Sequence, residues 1–102
     1  MMKLIKHLAC QIDDEIEGAT EYAKNALEYK EFYPWLADSY HKLAIVENEH
    51  AMTLHNAVCK IINEVQNKGV EYPQEMMDKW EKKHKKMMCK MAKAKTFIGM
   101  YK

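Results

Sequence analysis

Two Glu-x-x-His motifs stand out in this chain: Glu47-x-x-His50 and Glu81-x-x-His84. On a helix, residues three apart share one face. Each motif therefore offers a carboxylate oxygen and an imidazole nitrogen side by side. That donor set suits iron, manganese or zinc, and helix bundles build metal sites with this spacing. Spacing alone is weak: with eleven Glu and five His, on the order of half an occurrence is expected by chance. Position adds weight to the first pair. Leu43, Val46 and Leu54 flank it, which predicts that Glu47 and His50 lie on the main apolar face of their helix. A buried carboxylate is costly unless it is paired, hydrogen-bonded or bound to metal. Glu15 lies at the edge of an earlier apolar stripe, in line with Leu8, Tyr22 and Ala26. His84 shares a stripe with Trp80, Met87 and Met91, and Glu81 sits at its margin. The plain alternative for the first pair is a Glu–His hydrogen bond that fixes how two helices meet.

The elements that carry these groups are bounded by Pro34 and Pro73. Each suits the first turn of a helix, where a missing N–H costs nothing. Gly69 suits a helix C-terminus. The expectation is three helices, from about Lys3 to Lys30, Pro34 to Asn67 and Pro73 to Tyr101, joined by short connections that favour antiparallel neighbours. Apolar spacing at ~100° per residue supports them. The stripes run through Ile5, Leu8, Ile12 and Ile16 in the first helix. In the second they pass through Leu36, Leu43, Val46, Leu54, Val58, Ile61 and Val65, and in the third through Met77, Trp80, Met87, Met91 and Ile98.

A hairpin turning near Phe32 sets Glu15 opposite His50 and about one turn from Glu47. A second turn near Gly69 sets His84 opposite Asn56 or Ala57, which is ~9 Å along the axis from His50 at ~1.5 Å per residue. The two motifs are thus not expected to meet within one chain. His55 and His7 lie toward polar faces, at a height similar to His84, and read as surface histidines. A weaker stripe of Ile45, Met52 and Cys59 marks a second apolar side of the middle helix, which predicts self-association.

The 102 residues, 48% of them apolar, fit one all-α domain spanning residues 1–102. Net charge is +1, and every one of the sixteen cationic residues is Lys. Without Arg, bidentate reading of bases and phosphates is disfavoured. The Lys-rich third helix reads as a solvated face, so nucleic acid is not the expected partner. Cys10, Cys59 and Cys89 form neither a Cys-x-x-Cys nor an even set, which argues against both a disulfide framework and a Cys-based zinc site and leaves reduced thiols as the plain reading. No apolar run approaches the ~18 residues of a membrane span, and Met1 to Cys10 is too polar for a signal peptide. A cytoplasmic location with no membrane partner is expected. The methionines of the third helix suit core or interface packing.

At Glu15-Ile-Glu-Gly-Ala-Thr-Glu-Tyr22 the sequence resembles the first metal-binding helix of the ferritin-like, rubrerythrin-like superfamily, through Glu15, Gly18 and Tyr22. Leu43-Ala-Ile-Val-Glu47-Asn-Glu-His50-Ala is similar to that superfamily's second helix. The resemblance covers roughly Ile12 to His55 and is of the kind seen in small bacterial or prophage-type members. It implies a carboxylate-bridged di-metal centre, iron first, with Glu15 terminal, Glu47 bridging, His50 terminal and Tyr22 close to the ligands. The superfamily's full site draws on four helices, whereas this chain has three. Glu81 and His84 stand where a second motif would, or a dimer could supply the missing half. The expected function is metal binding, with oxygen or peroxide chemistry as what the resemblance adds. No nucleophile–base pair or phosphate loop is present, so no reaction is assigned. The other reading is a non-catalytic helical oligomerisation or interaction module in which Glu47 and His50 are structural.

Overall fold

The computed structural model describes residues 2–69 and 73–102. Three helices account for nearly all of them: α1 Met2–Tyr29, α2 Pro34–Asn67 and α3 Gln74–Met100. No strand occurs among the described residues. The all-helical architecture, the three elements and their bounds agree with the sequence expectation to within a residue or two.

The boundaries have local causes. Pro34 occupies the first turn of α2, and Tyr33 precedes it without a side-chain cap. The α1–α2 corner is tied by the Tyr33 N–H donating to the Tyr29 carbonyl at 2.9 Å. At the other end of α2, Gly69 takes φ +76°, a left-handed conformation that costs glycine little. Its N–H donates to the Gln66 carbonyl at 3.0 Å, satisfying one of the carbonyls a helix end leaves open. The Pro73 carbonyl accepts from the Met76 N–H at 3.0 Å and so opens α3.

α1 and α2 pack antiparallel about the corner at Phe32. Tyr22 meets Tyr40 and Glu15 meets His50, pairs spaced evenly about that corner. The seam between them is built of small side chains. On α1, Ile5, Ile12, Ala19 and Ala26 repeat every seventh residue, interleaved with Ala9, Ile16 and Ala23, and all are buried. On α2 the matching row is Ala37, Ala44, Ala51, Val58 and Val65, also every seventh residue and buried. Repeats of this kind make a coiled-coil seam, and alanine lets the two backbones approach closely.

This corrects the face expected for α2. Leu43 and Val46 do not face the core: they are 45% and 43% exposed. The buried row is displaced by one residue, to Ala44 and Asn48. The physical reason is that close helix approach selects the smallest side chains for the seam. A stripe drawn through the largest apolar residues therefore picks the neighbouring face.

α3 lies along this pair and closes the core less fully. Met87 and Ala94 are its buried residues among those described, with Met76, Trp80 and Met91 packed against the cluster of Ile5, Ile12, Ile16, Val58 and Ile62. A second heptad row on α2 consists of His41, Asn48, His55 and Ile62. Tyr101 stacks on His41 with ring centroids 4.4 Å apart and donates a hydrogen bond to Asp38, while His84 meets His55. The bundle is a rod of 56 × 19 × 18 Å. No described helix is long and apolar enough to cross a membrane.

Candidate metal centre

Glu15 comes from α1, and Glu47 and His50 from α2. The antiparallel seam brings them to one level. Each offers a ligand atom, and these atoms lie within 4.8 Å of one another. This is the grouping expected from the hairpin alone. Glu15 and Glu47 are half-buried. His50 is not, although the sequence pattern implies burial: its side chain is 55% exposed, against 27% for Glu15. The rotation of α2 that exposes Leu43 and Val46 also carries His50 to the rim.

The cluster lacks a satisfied hydrogen-bond network. Glu15 Oε2 is buried without an aligned hydrogen-bond partner. His50 Nδ1 lies 3.5 Å away, too long for a strong bond. The Glu47 carboxyl is held above its ordinary pKa, first by its hydrogen bond to Glu15. Burial and repulsion from the Glu15 charge add to this, and His50 partly opposes it. Two carboxylates this close need something positive between them, a proton or a metal ion. A cation would satisfy both oxygens at once, so the donor set fits a metal of the iron, manganese or zinc class.

Backbone geometry leaves room for this arrangement. Gly18 faces Glu47 across the seam: a Cβ added there would lie 3.3 Å from Glu47 Oε2. Mid-helix glycine costs about 0.8–1 kcal/mol relative to alanine, and its use here keeps space for a carboxylate.

The other expected groups lie elsewhere. Tyr22 stacks on Tyr40 at 5.9 Å and, among the described residues, donates no hydrogen bond to the three ligands. His84 does not join Glu15, Glu47 and His50; its Nε2 lies 2.7 Å from His55 Nε2. The contact with His55 is one residue from the position expected for the second hairpin. Glu81 is exposed, as is His7, whereas His55, expected on the surface, is half-buried against His84. Sequence reasoning misses Asn48, which is 8% exposed with Oδ1 unpartnered. It reads Cys59 only as a reduced thiol in the second apolar stripe of α2, although Cys59 follows His55 by one helical turn.

The raised Glu47 pKa has a measurable sign. The folded carboxyl binds its proton more tightly than the unfolded one, so this group favours folding when protonated. Its contribution is complete below the ordinary carboxylate pKa and lost as pH rises through the raised value. In metal-free protein, Glu47→Gln should remove that loss. The variant is expected to melt higher than wild type at neutral pH, the two converging at acid pH. Melting curves across this range check it, and a constant difference would refute the shared proton.

No known protein family, curated protein or solved structure matches this chain, and what the cluster does must therefore be argued from its own residues.

Proposed function

We propose that this protein binds a metal ion, iron before manganese or zinc, through Glu15, Glu47 and His50, as half of a centre that a second copy completes. The observation that carries this is the convergence of three donors from two helices within 4.8 Å, around a carboxylate oxygen with no hydrogen-bond partner. Support for the second copy comes from the surface beside it. Leu43, Val46 and His50 follow one another at helical spacing along one side of α2, and all three are exposed. A two-fold axis through that side would join two such clusters. Four carboxylates and two imidazoles would then surround two ions, and two divalent charges balance four carboxylates. This is the ligand count that four-helix di-metal sites use. In such a centre Glu47 would bridge, with Glu15 and His50 terminal, and the ions would supply the redox chemistry that the ferritin-like resemblance implies.

The test is elemental analysis of protein purified without added metal or an affinity tag, together with its mass in solution. About one metal per chain in a dimer is expected. No metal, even after anaerobic addition of ferrous iron, would overturn the reading. A structural role would then stand: the close approach of the Glu15 and Glu47 carboxyls and the Glu15–His50 contact would fix the α1–α2 seam of an interaction module.

A further inference from the structure

A second cluster lies about one and a half helical turns further along α2, where α3 crosses it. His55 Nε2 and His84 Nε2 are 2.7 Å apart, their ring centroids 4.9 Å apart and the rings tilted by 16°. The centroid distance is close to the N···N distance plus one ring radius on each side. The imidazoles therefore meet edge to edge and nearly in plane, not face to face, and both in-plane nitrogen lobes point into the same gap. One ring must hold a proton there and the other a lone pair. Cys59, one turn after His55, brings its Sγ to 3.8 Å from His55 Nε2. Trp80, one turn before His84, lies 5.5 Å from the His84 ring and flanks the gap. Burial, followed by the nearby His84, lowers the His55 pKa. At neutral pH this leaves a neutral ring, the form that ligates metals.

We propose that His55, Cys59 and His84 form a second metal site, taking a borderline-soft divalent ion of the zinc class between two imidazole nitrogens and one thiolate sulfur, and that this ion fastens α3 to α2. Tetrahedral zinc, with bonds of ~2.0–2.1 Å to nitrogen and ~2.3 Å to sulfur, sets its ligands about 3.3 Å (nitrogen to nitrogen) and about 3.6 Å (nitrogen to sulfur) apart. The spacing of the sulfur from His55 is already close to that, but the three ligand atoms do not all lie within 4.8 Å of one another as those of the carboxylate cluster do, so Cys59 and His84 stand further apart. The imidazoles need to separate by about 0.6 Å and to turn so that both nitrogen lobes converge on a point beside the line that joins them, and the Cys59 side chain must swing toward His84. The ion displaces the shared proton. That proton leaves the gap, the donor ring being protonated on Nδ1 instead, and the thiol gives its proton to solvent. Three protein ligands leave a fourth position for water or an incoming group. Neither the sulfur nor these histidines belong to the Glu15–Glu47–His50 cluster, so the two sites can be read separately.

The experiment uses cobalt(II) as a spectroscopic substitute for zinc. It is added to chelator-stripped full-length protein carrying Cys10→Ser and Cys89→Ser, which removes the two exposed thiols. One equivalent should produce a near-ultraviolet thiolate-to-cobalt charge-transfer band, which zinc then abolishes. The carboxylate cluster has no sulfur and cannot give this band. Cys59→Ser should eliminate the band, and His84→Gln should weaken binding at least tenfold, with helical circular dichroism retained. Alkylation of Cys59 in the same protein provides a check that does not depend on those variants folding: zinc should slow it severalfold. Absence of the band, its persistence in Cys59→Ser, or alkylation indifferent to zinc would each overturn the proposal.

Discussion

Val46→Glu is expected to yield a folded monomer without metal, although it changes no ligand. Val46 is 43% exposed, so within one chain the substitution should cost less than ~1 kcal/mol, as surface changes do. Across the proposed two-fold interface the same change acts twice. It places two new carboxylates against each other beside a centre already rich in carboxylates, and each must be desolvated to close the interface. Dissociation should follow, and with it the loss of the ligands from the other copy. Glu47→Ala is the control from the opposite direction. It removes the carboxylate proposed to bridge the metals and should lower metal affinity by more than ~100-fold, beyond what loss of a supporting group costs, while leaving the exposed row intact. Mass in solution and metal content, measured on both variants, separate the alternatives. If Val46→Glu keeps its metal as a monomer, the three donors are sufficient within one chain. If it remains a dimer, the interface lies elsewhere.

The sequence exposes some of this through features that do not depend on the size of side chains. Pro34, Gly69 and Pro73 each act through backbone conformation, and they place the helix ends to within a residue or two. Short corners then dictate antiparallel neighbours, and the level of Glu15 against His50 follows from counting along two rigid rods. The rotation of α2 about its axis is harder to read. It is decided by how closely two backbones can approach, and the sequence marks this with Ala37, Ala44 and Ala51 rather than with its large apolar residues. An error of one residue turns a helix by ~100°, enough to move Leu43, Val46 and His50 from core to rim. The seven-residue repeat of alanine is the available signal. The His55–His84 meeting is partly legible, since both are expected at a similar height. The contact of Cys59 with His55 is not, because its spacing from His55 gains meaning only when α3 supplies the second imidazole.

Gly18→Ala separates stability from metal binding in a single methyl group. Gly18 sits in the interior of α1, where alanine is favoured by about 0.8–1 kcal/mol. It has no positive φ to preserve. Judged by the helix alone, the substitution should stabilise. The added Cβ would lie 3.3 Å from Glu47 Oε2, 3.7 Å from its Cδ and 3.8 Å from its Cγ. Those atoms are the far end of a flexible side chain, so the carboxylate can give way at little cost to the fold. It cannot give way without leaving the position it shares with Glu15 and His50. The metal-free variant is therefore expected to melt several degrees higher, consistent with ~1 kcal/mol in a domain of this size. Metal affinity should fall by ~10-fold or more, the scale on which displaced supporting geometry acts at metal sites. Paired melting curves with and without ferrous iron or zinc make the test. The metal-induced rise in melting temperature should shrink while the metal-free value increases. If both rise together, Glu47 is not held where a metal needs it, and Gly18 is only a weak point in α1.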